Sequence, residues 1–149
     1  MVISYPEKNE ERQILHQSLH EGFSRQTALM KPADIIKARN LVREVYMDEK
    51  IERYIVDIVY ATRTPAEYGL KELGSFISYG ASPRASISLA AAAKAYAFIK
   101  RRGYVIPEDV RAVSNEVLRH RIGLTYEAEA ENVTPEQIIE KILNAVIVP

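Results

Sequence analysis

The chain contains no cysteine and carries no net charge, and each absence excludes a class of protein. Without a thiol, neither a disulfide framework nor a zinc site built on cysteine thiolates is available. The 149 residues include 20 lysines and arginines against 20 aspartates and glutamates, so the basic excess that binding to a nucleic-acid backbone requires is missing. We therefore expect one soluble domain with its own hydrophobic core and no nucleic-acid partner.

Long hydrophobic runs are missing as well. The most apolar stretch, residues 85–99, has 12 apolar residues out of 15, but it is alanine-rich, interrupted by Lys94 and too short to span a bilayer. The first residues, MVISYP, have neither the basic region nor the apolar stretch of a secretory signal. These features predict a cytoplasmic protein that does not cross a membrane, with residues 85–99 forming a buried helix.

Apolar residues recur at helical spacing along much of the chain. The clearest helix covers residues 51–62, where the apolar stripe follows Asp48 as a candidate N-cap and stops before Pro65. We expect Gly103 to close a long central helix. The other candidate helices, including this central one, are residues 7–19, 32–44, 83–102, 107–118 and 135–146. Thr134 is the candidate N-cap of the last helix, and Pro135 is its first residue. This pattern predicts an all-α bundle of about six helices.

Strand signals are confined to short pieces. Residues 2–5 are β-prone, and residues 104–106 are expected to pair with residues 124–126. The connecting loops are expected at residues 21–31, 64–79 and 123–132.

The zero net charge conceals an uneven distribution. Residues 82–125 have eight basic and three acidic side chains, a net charge of +5, whereas residues 126–149 have one basic and five acidic side chains, a net charge of −4. An anionic ligand or partner is therefore expected beside the basic segment. In the acidic segment Glu127, Glu129 and Glu131 alternate with alanine, so an extended chain would place them on one solvated face.

The sequence YGASPR at residues 79–84 begins the central helix. Gly80 permits a sharp turn, Ser82 is a candidate cap, and Pro83 suits the first helical position. Arg84 does not fit this local logic, because a cation in the first turn opposes the helix dipole by about 0.3 to 1 kcal/mol. A phosphate would reverse that argument, since the free amides and the guanidinium would donate to the same oxygens. The alternative is that Arg84 pairs with a surface carboxylate or lies in solvent.

These residues belong to a pattern that resembles the C-terminal lid domain of MoxR-type AAA+ ATPases. The resemblance rests on three blocks in matching order: DEKIERYIVDIVYATRTPAEYG, GASPRA and YVIPEDVRAVSNEVLRHRIGLTYEAEAENVTPEQII. It implies that residues 31–149 form the helical lid. The stretch YPEKNEERQIL resembles the segment leading out of the ATPase core, which makes residues 1–30 a connecting segment with one helix.

In that family the arginine of GASPR is the sensor-2 residue, so the resemblance implies that Arg84 is catalytic and contacts the terminal phosphates of ATP. By the same resemblance, Gly80, Ala81, Ser82 and Pro83 shape the turn that presents it and belong to the nucleotide site.

For a full-length protein the resemblance implies ATP and magnesium as cofactors and a ring of subunits, expected to be a hexamer. The lid would then contact its own AAA+ core and neighbouring subunits. The family is associated with chaperone-like maturation of protein complexes, including metal-cofactor insertion, often alongside proteins with von Willebrand factor A domains. The alternative function is a non-catalytic interaction module that docks subunits or clients through the two charged segments.

The sequence departs from a whole AAA+ module. It contains no GxxxxGK[ST] phosphate loop, so the chain alone is expected neither to hydrolyse ATP nor to bind it tightly. Residues 45–49, VYMDE, superficially resemble the end of a Walker B strand, but the residues after them favour a helix. Asp48 is therefore interpreted as a helix cap.

Two further pairs of residues have weaker claims to a ligand. Arg119 and Arg121 end a helix, where cations complement the dipole; contact with nucleotide or a neighbouring subunit is the alternative. His16 and His20 have the spacing of a zinc pair, but Gln17 replaces the glutamate of HExxH and no third ligand is evident. No metal site is expected.

Overall fold

The computed structural model describes residues 5–20, 22 and 27–149. The chain divides into two compact units, Met1–Ile36 and Lys37–Pro149. Helix α1 (Lys8–His20) belongs to the first unit, and helix α2 (Pro32–Glu44) runs across the boundary. No helix in the described part of the chain is long and apolar enough to cross a membrane.

The prediction of a small, mainly helical domain is confirmed. Within the described residues there are seven α-helices, two 3₁₀ helices and one two-stranded sheet. The helices after α2 are α3 (Glu49–Ala61), α4 (Pro83–Ile99), α5 (Pro107–Leu118), α6 (Tyr126–Ala130) and α7 (Pro135–Ala145). Six of the seven agree with the segments that periodicity and capping residues predict, and α6 is additional.

Helix α3 supplies much of the core of the second unit. As predicted, Asp48 is its N-cap, and the carboxylate accepts a hydrogen bond of 2.9 Å from the amide of Lys50. Its apolar stripe is buried and the helix packs on α4, α5 and α7, with each fully buried aliphatic side chain contributing about 1.5 to 3 kcal/mol. The stripe includes Ile51, Tyr54, Ile55, Ile58 and Val59.

Helix α7 also begins as the sequence predicts. Thr134 and Gln137 form a reciprocal capping box. The threonine hydroxyl accepts from the backbone amide of Gln137 at 3.3 Å, and the side-chain oxygen Oε1 of Gln137 accepts from the backbone amide of Thr134 at 2.9 Å. At the other end, the Arg111 guanidinium of α5 donates to the Leu143 carbonyl, and to Asn144 Oδ1 at 2.8 Å. A cation at a helix C-terminus complements the dipole, so Arg111 fastens α7 to α5.

Helix α4 packs most extensively on α5 and also contacts α3. Its buried face repeats every fourth residue, as Ala85, Leu89, Ala93 and Ala97. Three of these four residues are alanine, which allows the neighbouring helices to approach closely. The alanine-rich run is thus a packing surface, as expected from its composition.

The central helix ends earlier than the predicted range 83–102. Its last residue is Ile99, and Arg101 adopts the left-handed conformation with φ 60°. The Arg101 amide donates to the Phe98 carbonyl and the Arg102 amide to the Ala97 carbonyl, both at 2.9 Å. This is the Schellman arrangement that usually has glycine at the left-handed position. The expectation that Gly103 closes the helix is therefore wrong, because Arg101 makes the turn two residues earlier.

An ion pair between Arg102 and Asp109 joins the segment after α4 to the first turn of α5. The Arg102 guanidinium donates to both carboxylate oxygens of Asp109, one of them at 2.7 Å, and the Ile106 amide donates to the same carboxylate at 3.0 Å. Asp109 is only 1% exposed. Burial alone would raise the pKa of Asp109, but the hydrogen bonds from Arg102 and Ile106 outweigh it and hold that pKa below its ordinary value.

The sheet joins different segments from those expected. Strand β1 (Ile77–Tyr79) pairs antiparallel with strand β2 (Gly123–Leu124). Tyr104 instead forms a parallel bridge with Tyr46, in which the Tyr46 carbonyl accepts from the Val105 amide at 2.9 Å. The predicted pairing of 104–106 with 124–126 is wrong, because Leu124 pairs with Ile77 and Tyr104 with Tyr46. Residues 2–4 of the β-prone segment 2–5 lie outside the described residues.

Two of the predicted loops contain short regular structure. Residues 64–79 include the 3₁₀ helices Pro65–Tyr68 and Lys71–Ser75 as well as β1. Residues 123–132 include α6, whose N-cap is Thr125; the hydroxyl accepts from the Ala128 amide at 3.2 Å. The chain is therefore not extended at the three alternating glutamates, so the condition for placing them on one face is not met. In the loop 21–31, residues 21 and 23–26 lie outside the described residues.

Replacing Arg101 by glycine should stabilise the chain by about 1 kcal/mol, because glycine adopts the left-handed conformation without the steric penalty of a Cβ atom. Urea unfolding followed by circular dichroism measures the change. Lys100→Gly is the control, since Lys100 has φ −76° and gains nothing from glycine. A destabilised Arg101→Gly variant would contradict the assignment of this turn.

Asp109→Asn should lower the free energy of unfolding by about 2 kcal/mol at neutral pH, since a buried carboxylate bonded to a guanidinium is replaced by a neutral amide. The native pKa of Asp109 is depressed, so its contribution is complete above the unfolded-state pKa and is lost as pH falls through the native pKa. The difference in free energy of unfolding between the wild type and Asp109→Asn should thus be constant near neutrality and shrink below about pH 4.

Urea titrations at several pH values test this dependence. Glu140→Gln, which changes an exposed carboxylate on α7, should shift stability by no more than about 0.5 kcal/mol. A difference for Asp109→Asn that grows on acidification would refute the assigned sign.

Candidate functional site

The segment that presents Arg84 connects β1 to the first turn of α4. Helix α4 begins at Pro83, with Ser82 in the N-cap position that the sequence predicts. The Ser82 side chain, however, makes no capping hydrogen bond, so the expectation that its hydroxyl satisfies the free amides is wrong. Instead, the Ser82 carbonyl accepts from the Ala85 amide at 2.8 Å. The first turn therefore has no side-chain acceptor of its own at the N-cap.

Gly80 is required for a different reason from the one the sequence suggests. Its φ is not in the left-handed region. A Cβ atom added there would lie 2.4 Å from the carbonyl oxygen of Thr62, 2.6 Å from the Thr62 carbonyl carbon and 2.7 Å from Cγ of Arg63. Because two of these neighbours are backbone atoms, which cannot rotate away, only glycine allows this close approach to the end of α3.

Thr62 joins that helix end to the turn. Its side chain is fully buried; the hydroxyl donates to the Val59 carbonyl at 2.6 Å and accepts from the Ala81 amide at 2.8 Å. Sequence reasoning places Thr62 in the apolar stripe of α3 and does not assign this bond. The available signal was a threonine in an otherwise apolar stripe, but its partner lies 19 residues away and no local pattern identifies it.

Arg84 is exposed at the second position of α4. In the described part of the chain it forms no ion pair with a carboxylate and no side-chain hydrogen bond. The residues on either side of its turn, Ala81 and Ala85, are both completely buried. The guanidinium is thus carried on a firmly anchored backbone while the side chain itself remains open to an external partner.

Arg121 reaches the same helix. Its Nη2 atom donates to the hydroxyl of Ser88 at 3.3 Å, and Ser88 follows Arg84 by four residues on α4. Residues at this spacing share one helical face, so Arg121 lies along the side of α4 that carries Arg84. The Nε atom of Arg121 is buried and has no hydrogen-bond partner within the described residues. This unsatisfied donor distinguishes Arg121 from an ordinary solvated helix cap.

Arg119 is in a different environment. It is the C-cap residue of α5 and pairs with Glu116 and, at 3.7 Å, with Glu136 at the start of α7. Its side chain is only 23% exposed. These contacts neutralise the guanidinium within the domain. The structure therefore separates the two arginines that the sequence treats alike, with Arg121 beside α4 and Arg119 at the α5 and α7 ends.

Other features of the described chain do not coincide with this turn. A cavity of about 400 Å³ is lined by Leu73, Val133, Ile138 and neighbouring polar residues of α7, and none of the candidate site residues lines it.

On α1 the rings of His16 and His20 lie 4.7 Å apart. Within residues 5–20, 22 and 27–149, no group of three or more histidine, aspartate or glutamate side chains is placed to hold a metal ion.

Comparison with known proteins identifies relatives over nearly the whole chain. Residues 74–142 match the AAA lid domain family. Chaperone MoxR1 of Mycobacterium tuberculosis is 36% identical over 149 residues, which cover 99% of this chain and 39% of that protein. YeaC of Bacillus subtilis, whose own function is uncharacterised, is 37% identical and covers 99% of this chain and 43% of its own length. Protein MoxR of Paracoccus denitrificans is 40% identical over 94 residues, or 59% of this chain and 28% of that one.

The fold has a solved counterpart. A Cytophaga hutchinsonii protein, provisionally described as an ATPase, superposes with a TM-score of 0.89 at 42% identity, over 99% of this chain and 45% of that one. The chain thus spans about two fifths of the length of the curated relatives that it matches from end to end. Since the matched family is an AAA lid domain and the relatives include MoxR proteins, the chain belongs to the lid domains of the MoxR-type AAA+ ATPases.

Proposed function

We propose that this lid completes the nucleotide site of a MoxR-like AAA+ ATPase and that Arg84 is its sensor-2 arginine. The observation that carries the proposal is the state of Arg84: an exposed cation in the first turn of α4, without an intramolecular partner in the described residues. The helix dipole disfavours a cation there and favours an anion by a similar amount. A terminal phosphate would remove the conflict by accepting hydrogen bonds from the guanidinium.

The residues present fit a phosphate only in part. Arg84 offers a planar fork of donors, and the N-terminus of α4 adds its dipole. The sequence has no phosphate loop, so the main cradle for ATP and the coordination of magnesium would come from the ATPase core, which supplies the phosphoryl-transfer chemistry. Gly80, Ala81, Ser82 and Pro83 form the turn that presents the arginine, and this chain alone is not a hydrolase.

Arg84 would act in two ways within such a composite site. A guanidinium held beside the transferring phosphoryl group stabilises the charge that develops there, and its effect increases when water is excluded. It also distinguishes ATP from ADP, because only ATP offers the terminal phosphate as a partner. Nucleotide state is thereby coupled to the position of the lid against the core, which is the basis of a chaperone-like cycle.

Arg121 is the second candidate for contact with nucleotide or a neighbouring subunit. It lies on the same face of α4 as Arg84 and keeps a buried Nε without a partner in the described residues. Arg119 is not included in this proposal, because Glu116 and Glu136 already compensate its charge.

The expected partners of the complete protein are its own AAA+ core and the neighbouring subunits of a ring, with von Willebrand factor A-domain proteins as a further class. A cytoplasmic location is part of the same proposal. The alternative is a non-catalytic interaction module that docks through the basic and the acidic segment, and the internal bonds of the basic segment count against it. Within the described part of that segment, Arg102 and Arg119 have internal carboxylate partners, and Arg111 is bonded to the end of α7.

Arg84→Ala in the complete protein should lower the kcat for ATP hydrolysis by about 100-fold, the loss typical of removing one charge-stabilising donor. Arg84→Lys should retain part of the activity, since it keeps the charge without the planar fork. Arg53→Ala is the matched control, because Arg53 is an exposed arginine of α3 paired only with Glu49 in the described chain, and its turnover should be unchanged. A folded Arg84→Ala protein with wild-type turnover would refute the proposal.

The isolated 149-residue chain should bind ATP with a Kd weaker than about 1 mM, because one arginine and one helix end cannot replace a phosphate loop. Isothermal titration calorimetry with ATP and magnesium measures this directly. Micromolar affinity would show that the chain itself contains the main nucleotide cradle.

A further inference from the structure

We propose that Thr62 is the positioning residue for Arg84, acting through the turn at residues 80–82. The inference rests on the proposed function of Arg84. It concerns the C-cap residue of α3, 22 positions earlier in the sequence, which does not itself reach the exposed surface. Thr62 would fix the position of the Arg84 guanidinium relative to α3, and hence relative to the rest of the lid.

The hydroxyl of Thr62 is held in a single orientation. It donates its only hydrogen to the Val59 carbonyl at 2.6 Å, as threonine commonly does near a helix end, and this leaves its lone pairs to accept from the Ala81 amide at 2.8 Å. Both Thr62 and Ala81 are completely buried, so no water competes for either bond. A bond of this kind is strong in its low-dielectric surroundings, and leaving a buried amide without an acceptor is costly.

The backbone of Thr62 contacts the same turn from a second direction. Its carbonyl oxygen lies only 2.4 Å from the place where a Cβ of Gly80 would be. Gly80 thus packs against the Thr62 carbonyl group, and the Ala81 amide is hydrogen-bonded to the Thr62 hydroxyl. Two adjacent residues of the turn are fixed by Thr62, the C-cap residue of α3.

The connection from Ala81 to Arg84 is short and stiff. Ser82 has the extended conformation of an N-cap, and the pyrrolidine ring of Pro83 fixes the backbone angle φ of Pro83 itself. Ala85, on the far side of Arg84, is fully buried against the core. A displacement of the turn at Ala81 would therefore be transmitted to the guanidinium. A misplacement of about 1 Å at a catalytic group can cost about 100-fold in rate.

The test uses the complete protein and ATP as the probe. Thr62→Val keeps the shape of the side chain but removes both hydrogen bonds of the hydroxyl. It should lower kcat by about 10-fold and change the KM for ATP by less than about 2-fold, since Arg84 is misplaced while the main cradle is intact. Thr62→Ser restores the hydroxyl and should recover kcat to within about 3-fold of wild type.

A matched control lies two residues away. The Thr64 hydroxyl donates to the Tyr60 carbonyl at 3.2 Å, at the same end of α3, and forms no hydrogen bond with the turn before α4 in the described part of the chain. Thr64→Val removes a threonine hydroxyl bonded to a carbonyl at the same helix end and should leave turnover unchanged. All assays are made well below the melting temperature of each variant, with folding checked by circular dichroism. If Thr62→Val does not fold, Thr62→Cys replaces it, since a thiol has similar volume and is a weak acceptor.

A double-mutant cycle separates this inference from the proposed function. If Thr62 acts through Arg84, the double variant Thr62→Val/Arg84→Ala should be no slower than Arg84→Ala alone. Losses that multiply, or a Thr62→Val protein with wild-type kcat, would overturn the inference while a slow Arg84→Ala protein still supports the function. An Arg84→Ala protein with wild-type turnover would instead remove the proposed function, and the inference with it.

Discussion

The contact between the end of α3 and the start of α4 constrains the rest of the candidate site. Gly80 approaches the Thr62 carbonyl more closely than any side chain would allow, and the Ala81 amide is bonded to the Thr62 hydroxyl in a completely buried position. The beginning of α4 therefore cannot shift without losing a buried hydrogen bond or opening a gap in the core. The backbone of Arg84, the exposed arginine in the first turn of α4, is therefore held in place by the packing of α3 against α4.

The far end of α4 is fixed by a different interaction. Arg101 makes the left-handed turn, and Arg102 then pairs with the buried Asp109 at the start of α5. Between these ends, the face with Ala85, Leu89, Ala93 and Ala97 packs closely on its neighbours. The helix is thus held at both termini and along one side, so α4 and Arg84 would move with the lid as one body. This rigidity is what a lid needs if nucleotide contact is to control its position.

The charge pattern has acquired a structural meaning. Of the basic residues between positions 82 and 125, Arg102 and Arg119 pair with carboxylates and Arg111 binds the last turn of α7. Three of the eight basic residues in this segment thus contribute to holding the helices together. Arg84 has no such partner within the described residues, and Arg121 keeps an unsatisfied buried Nε. The candidate anion site therefore depends on these two side chains rather than on the net charge of the segment.

The sequence by itself determined the helices whose signals are local: the caps Asp48 and Thr134 and the periodic stripe of α3 lie within a few residues of the backbone that they organise. It also marked Arg84, because a cation in a first turn conflicts with the helix dipole. Only the tertiary structure decided the pairing of β1 with β2, the turn at Arg101 and the contact of Thr62 with the turn before α4. Each depends on a partner or backbone position that no short-range pattern specifies, since packing of distant segments brings them together.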